Sequence, residues 1–249
     1  MSDRNRKFVP EVKSGLRDDS IIVTPSVIRN SSGIKIYNRR IKSFIFTTDI
    51  ATITYSDADA IMAVYPQTPH PAIVEAITAV ASQPVFAGVG GGTTGGKRSA
   101  YVAEFAEARG AMGIVVNSPT TISTIRLLEN SVECPIVATI VSHYDDVESK
   151  LNAGVDILNV ANGKDTAKLV EWLRKRYPEV PIIATGGPTD ETIQQVIDAG
   201  ANAISWTPPT NAELFKSKMV KYRIEKRQTF MDNHGGMTMN EYEDRNFEH

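Results

Sequence analysis

The sequence predicts an α/β fold, a (β/α)8 TIM barrel with an N-terminal β-hairpin extension, and three observations carry that prediction. Eight short runs rich in Ile, Val and Ala, at 44–47, 60–64, 85–89, 112–116, 136–140, 155–160, 182–184 and 203–206, alternate with helix-patterned segments, as in a parallel sheet buried on both faces. Two kinds of strand opening also alternate. Gln83-Pro84-Val85, Cys134-Pro135-Ile136 and Val180-Pro181-Ile182 form one kind; Arg109-Gly110-Ala111, Ala153-Gly154-Val155 and Ala199-Gly200-Ala201 form the other. Each kind recurs about every two strand–helix units, which suits a closed ring better than an open sheet. Finally, the stretch 181–210 reads as one complete module followed by a further strand.

That module has a clear logic. Ile182, Ile183 and Ala184 make a short buried strand. Gly186-Gly187 permits a tight turn and close backbone approach. Thr189 and Asp190 cap a helix whose Ile193, Val196 and Ile197 share a face. Gly200 stops the helix in the left-handed conformation, and the last strand follows at once.

Taken from the N-terminus, residues 1–42 form an extension. Ile21-Ile22-Val23 and Ile34-Lys35-Ile36-Tyr37 flank Asn30-Ser31-Ser32-Gly33, a pattern expected of a hairpin and assigned here to the barrel bottom. Residues 43–228 are assigned to the barrel. Helical stripes run through Ile73, Ala76, Ile77 and Val80, through Val102, Phe105 and Ala106, and through Leu169, Trp172 and Leu173. Between Asp49 and Ala58 there is room for only a short first helix. Thr210 with Glu213 opens the last helix with a capping-box pattern, and Phe215, Met219 and Tyr222 follow at helical spacing. The tail, 229–249, is polar with scattered Met and aromatic residues, open to reading as a loose end or as an arm packed on a neighbouring subunit.

Composition narrows the function classes. A chain of 249 residues with 41% hydrophobic content suffices for one large core. The net charge of −2, with near-equal acids and bases, does not advertise a nucleic-acid partner. One cysteine, Cys134, forms no internal disulfide and reads as a small buried hydrophobe. No apolar run approaches a membrane span, and the N-terminus lacks a signal-peptide core. A cytoplasmic homo-oligomer with no membrane partner is the expectation.

Barrel chemistry is built from the loops after the strands, so the first polar residues past each run are the candidates. For ligand binding these are Lys97, Arg98, Asn117, Asn159 and Thr185; for phosphate, Gly186, Gly187, Thr207 and Thr210. Neutral hydrogen-bonding groups near helix N-termini suit anionic oxygens. Asp49 and His143 are the acid–base candidates, although Asp49 also reads as a helix cap and His143 as part of a helix start. Trp206 reads as core filling. Gly91 to Lys97 matches the G-x-x-x-x-G-K spacing of a P-loop, but Arg98 stands where a hydroxyl is needed and the fold is wrong for one. A flap carrying Lys97 and Arg98 over an anion, or a plain solvent loop, remains. No lysine lies within a strand, as a Schiff-base aldolase would need. No metal-ligand spacing and no G-x-S-x-G elbow occur, so neither metal nor cofactor is expected.

The segment IIATGGPTDETIQQVIDAGANAI resembles the strand-seven to strand-eight segment shared by phosphate-binding (β/α)8 barrels, the group that includes the ribulose-phosphate-binding enzymes. The likeness spans about 165 residues at the level of fold, and only this segment is specific. It implies a small phosphorylated ligand at the carboxyl rim. The chain lacks the aspartate–lysine signature of the decarboxylase branch, and Ser205-Trp206-Thr207-Pro208-Pro209 replaces the glycine pair of the sugar-phosphate epimerases. It looks most like a bacterial barrel family labelled "hydrolase" without a defined activity, and 182–215 is also similar to the glycerol-operon antiterminator regulators. Those likenesses imply either an isomerase, lyase or hydrolase acting on a phosphorylated metabolite, or a non-catalytic sensor of such a ligand.

Overall fold

The computed structural model describes residues 8, 10–14 and 21–247. The chain divides into two units, one ending at Pro208 and one beginning at Pro209.

In the first unit, eight parallel strands close into a barrel: β3 (Ser43–Phe46), β4 (Ala60–Ala63), β5 (Val85–Gly90), β6 (Gly113–Val116), β7 (Ile136–Ile140), β8 (Ile157–Val160), β9 (Ile182–Thr185) and β10 (Ala203–Trp206). Ring closure comes from β10 pairing with β3, Ile204 opposite Ser43. Helices α1 (Ile50–Thr54), α2 (Pro71–Val80), α3 (Gly96–Ala108), α4 (Ile122–Glu129), α5 (Val147–Asn152), α6 (Thr166–Arg176) and α7 (Asp190–Asp198) fill the connections. The alternation of β-branched runs with amphipathic stripes therefore yields the predicted TIM barrel. One apolar layer lies between strands and helices, with Ile114, Ile136, Leu158, Ile182 and Ile204 meeting Ala103, Leu128, Leu169, Leu173 and Ile193. Trp206 packs in this outer layer, because successive strand residues face opposite ways and Ser205 takes the inner face.

The hairpin exists, but not where the turn signal placed it. Its strands are β1 (Ile34–Ile36) and β2 (Arg39–Ile41), with Ile34 opposite Ile41. Tyr37 and Asn38 form the turn at φ 43° and 65°. A two-residue hairpin turn of type I′ requires positive φ at both central positions, and this pair supplies it. Residues Ser26–Asn30 instead form a 3₁₀ turn, and Ile22 makes one parallel bridge to Ser56. The hairpin buries Ile34, Ile36 and Ile41 against Phe44, Met62, Phe86, Val137, Ile157, Ile183 and Ala203. Apart from Met62, which lies further along β4, these barrel residues are the first or second of their strands and point inward, so the hairpin covers the amino end of the ring.

Polar staples hold that end together. Arg174 donates to the carbonyls of Pro178, Val180 and Gly200 and to Asn202 Oδ1, at 2.7–2.9 Å. Asn202 in turn accepts from the Ile182 N–H and donates to Ser32 Oγ. A planar guanidinium with several fixed donors is suited to gathering carbonyls from two loops. Asp59 accepts from the Lys42 and Ser43 N–H groups, aligning β3 with β4. Cys134 is buried, and desolvation together with neighbouring Glu107 pushes its thiol up to about 12, which removes nucleophilic character.

The second unit contains α8 (Asn211–Asn233) and α9 (Met239–Phe247). Thr210 and Glu213 complete the capping box that opens α8. Between the helices, Gly235 and Gly236 adopt φ of 64° and 86°; Phe230 and His234 stack with ring centroids 4.1 Å apart, and Tyr242 meets both edge-on at 5.6 and 4.6 Å. No residue of α8 is buried. Phe215, Met219 and Tyr222 occupy one side, and Val220 and Ile224 another, all exposed. Among the described residues, no helix is long and apolar enough to cross a membrane.

Candidate functional site

Because strand side chains alternate, the residue two places beyond each inward-facing core position also points inward, one step nearer the carboxyl end. At that step the barrel changes character. Val115 gives way to Asn117, Val137 to Thr139, Ile157 to Asn159, Ile183 to Thr185, and Ala203 to Ser205 and then Thr207. On the opposite side Phe44 gives way to Phe46 and Met62 to Val64. These residues, with Ala161, line a cavity of about 200 Å³ at the carboxyl mouth. It is two-sided, with an apolar wall from β3 and β4 and a hydrogen-bonding wall from β6 to β10.

Backbone constraints bring the polar wall into place. A Cβ on Gly91 would lie 2.4 Å from Asn117 Cβ, and Gly91 has φ 122°. The glycine run thus leaves room for Asn117, whose N–H donates to Gly90 O at 3.0 Å. The run itself closes as a tight turn, Gly91 and Thr94 exchanging backbone bonds. The N–H of Gly96, which a P-loop would offer to a phosphate, instead donates to Thr124 Oγ1 at 3.0 Å.

Asn159 and Thr139 are paired across β7 and β8, and Asn159 Nδ2 donates to Thr139 Oγ1 at 3.2 Å. Asn159 Oδ1 is buried without a hydrogen-bond partner. Ser205 Oγ reaches only Met62 Sδ, at 3.9 Å. Behind the wall lies a buried ion pair. Lys150 Nζ stands 3.1 Å from Asp145 Oδ1 and 3.2 Å from Ser118 O, and Ser118 immediately follows Asn117. Asp145 also accepts from Ser118 Oγ and from the N–H groups of Val141 and Ser142. Burial alone pushes the Asp145 carboxyl up. The Val141 N–H, the Ser118 hydroxyl and the Lys150 ammonium more than reverse this, leaving it below the usual aspartate range.

Of the sequence candidates, Asn117, Asn159, Thr185 and Thr207 come together in the cavity wall. Others lie outside it. Asp49 is exposed and caps α1, accepting from Thr52 N–H at 2.8 Å. His143 is exposed and packs edge-on against Trp172, ring centroids 5.2 Å apart. Lys97 and Arg98 are exposed in the first turn of α3. Gly186 donates its N–H to Ser205 O at 3.2 Å. A Cβ there would lie 2.8 Å from both Ile193 and Ile204, so close helix–strand packing is itself a reason for glycine. Gly187 is exposed with φ 77°. Thr210 belongs to the second unit, its side chain engaged with Glu213. Thr139 also lines the wall, as a polar residue at the end of its strand run, whereas Ser205, Phe46, Val64 and Ala161 were not among the candidates. Counting in twos from the inward core positions is the signal that finds Ser205, Phe46 and Val64.

Among the described residues, the cavity wall carries no Asp, Glu, His, Lys or Arg, and no group of three or more His, Cys, Asp or Glu is placed to hold a metal ion. Amides and hydroxyls alone are a poor match for Mg²⁺, which is ordinarily held through at least one carboxylate.

No family model matches the sequence, and no curated protein matches it. Solved structures do. Phosphonopyruvate hydrolase in complex with oxalate and Mg²⁺ is 12% identical with a TM-score of 0.54, covering 82% of this chain and 89% of that one. Phosphoenolpyruvate phosphomutase from Streptomyces platensis subsp. rosaceus is 10% identical with a TM-score of 0.56, covering 78% and 83%. The 4-hydroxy-tetrahydrodipicolinate synthase from Methylacidiphilum fumariolicum SolV is 15% identical with a TM-score of 0.54, covering 70% and 69%. At these identities the likeness is one of fold.

Proposed function

We propose that the protein is an enzyme acting on a small phosphorylated metabolite, with isomerase, lyase or hydrolase chemistry at the carboxyl mouth of the barrel. One observation carries this reading. The barrel interior turns from apolar to hydrogen-bonding within a single side-chain step on β6 to β10, above an amino end plugged by the hairpin. A core stabilised by burial alone has no use for that change, whereas a ligand site does. The cavity volume is below the usual 300–1,000 Å³ of drug-sized sites, which suits a ligand of a few carbon atoms. In this proposal Thr185, Gly187 and Thr207 hold the phosphate at the rim, and Asn117 and Asn159 hold the ligand body. Asp49 or His143 moves the proton, and Lys97 and Arg98 close over the anion, which requires their loops to swing across the mouth. Phosphonopyruvate hydrolase and phosphoenolpyruvate phosphomutase, which share the fold, lend the phosphorylated class support by analogy. Assembly with a second copy belongs to the same proposal, supported by the exposed apolar residues of α8.

A second reading is a non-catalytic sensor of a phosphorylated ligand, similar to the antiterminator regulators. It is favoured by the lack, among the described residues, of any titratable side chain in the cavity wall. Thermal and urea denaturation with sn-glycerol 3-phosphate as probe test the shared premise. A ligand at a hundred times its dissociation constant adds about 2.7 kcal/mol, and no gain at any soluble concentration removes both readings. Phosphorus NMR of the same mixtures separates them: new resonances mean turnover, and unchanged spectra with retained binding mean sensing.

A further inference from the structure

Among the described residues, the cavity wall carries no charged side chain and one buried polar atom without a partner, and the two together constrain which end of a ligand goes in first. The argument rests on the reading that a small phosphorylated molecule occupies the barrel mouth. Asn159 is 7% exposed and lines the cavity. Its Nδ2 is spent on Thr139, and its Oδ1 is buried with no partner. Turning the amide over would exchange the roles, Oδ1 accepting from the Thr139 hydroxyl and Nδ2 left over. A ligand hydroxyl answers either arrangement, because it both donates and accepts. A carboxylate or phosphate oxygen answers only the second.

Charge points the same way. An ionised group that sheds its water inside this wall meets no Lys, Arg or His among the described residues, and an unpaired buried charge is strongly disfavoured. A divalent cation that could neutralise it finds no carboxylate there. Phe46 and Val64 meanwhile offer an apolar face to carbon-bound hydrogens. We infer that the ligand enters with an uncharged, hydroxyl-bearing end first, that this end is recognised by the Asn159–Thr139 pair without a divalent cation, and that the phosphate stays at the rim. The ligand class is a short phosphorylated alcohol, not a phosphorylated or phosphono carboxylic acid chelated through a metal.

Calorimetric titration of the full-length protein with three probes tests this: inorganic phosphate, sn-glycerol 3-phosphate and 3-phosphonopropionate, each with Mg²⁺ and with excess EDTA. Glycerol 3-phosphate is expected to bind at least about tenfold more tightly than the carboxylate probe, the scale of one buried hydrogen bond, with EDTA changing neither. In Asn159→Leu, and separately in Thr139→Val, the ratio of glycerol 3-phosphate to inorganic phosphate affinity falls about tenfold. A ratio measured within one protein does not depend on how stable the variant is. Tighter binding of 3-phosphonopropionate, a requirement for Mg²⁺, or an unchanged ratio in both variants overturns the inference. Binding of phosphate with no added affinity for glycerol 3-phosphate also overturns it while leaving the phosphate site standing. Failure of all three probes to bind removes both.

Discussion

Replacing Lys150 with methionine lowers the stability of the protein by about 3–5 kcal/mol, the cost of breaking a buried ion pair from one side. Lys150 is 5% exposed, and its ammonium is shared between Asp145 Oδ1 and Ser118 O. The methionine fills most of the space but leaves the Asp145 carboxylate buried with only neutral donors. Urea denaturation at neutral pH measures the loss. The double variant Asp145→Asn/Lys150→Met recovers much of it, since no charge is then left alone. An acid limb should appear in the unmodified protein too. The folded carboxyl of Asp145 is depressed, so its contribution is fully present above the unfolded aspartate value of about 3.9. It is lost as pH falls through the lower folded value, and Asp145→Asn flattens that limb. A Lys150→Met loss under about 1 kcal/mol, the range of exposed pairs, would show that the pair is hydrated and does not clamp the loop carrying Asn117.

Phe86→Ala is expected to cost a similar 3–5 kcal/mol, here through a cavity. Phe86 is fully buried in the barrel interior and meets Phe44 edge to face, ring centroids 5.0 Å apart. Its ring claims the space beside Gly113, where a Cβ would lie 2.6 Å from the ring. Removing it leaves a void between the hairpin isoleucines and the upper layers that no neighbouring backbone can close. Phe86→Leu keeps more of the volume and should cost markedly less. Equal losses for the two variants in denaturant would mean that the interior collapses freely and is not packed around this ring.

How much of this was readable beforehand depends on the range over which each residue is decided. The barrel strands were legible because both of their faces are buried, so each run is apolar almost throughout, and Ile136–Ile140 and Ala203–Trp206 emerge with the predicted limits. Asn117, Asn159, Thr185 and Thr207 were legible as the polar residues that end or interrupt those runs. Ser205 was hidden inside a strand, where a small residue is expected in any case. The hairpin was misplaced because its turn relies on Tyr37 at positive φ, which no sequence rule favours. Gly186 is confined by Ile193 and Ile204, one from the next helix and one from the next strand, so its packing role needs the assembled fold. Asp49 could be cap or acid by spacing alone, and only the bond from Thr52 N–H shows the cap. The stripe Phe215, Met219 and Tyr222 was visible, but not that α8 would carry a second exposed stripe and no buried residue.

The most direct test is a crystal structure of the full-length protein grown with sn-glycerol 3-phosphate. It should show the phosphate at the carboxyl rim within hydrogen-bonding reach of Thr185, Gly187 or Thr207, and the carbon chain directed down between Asn159 and Phe46. A phosphate bound at the hairpin end of the barrel, or a cavity occupied only by water while the probe sits elsewhere, would contradict the assignment of this mouth as the site.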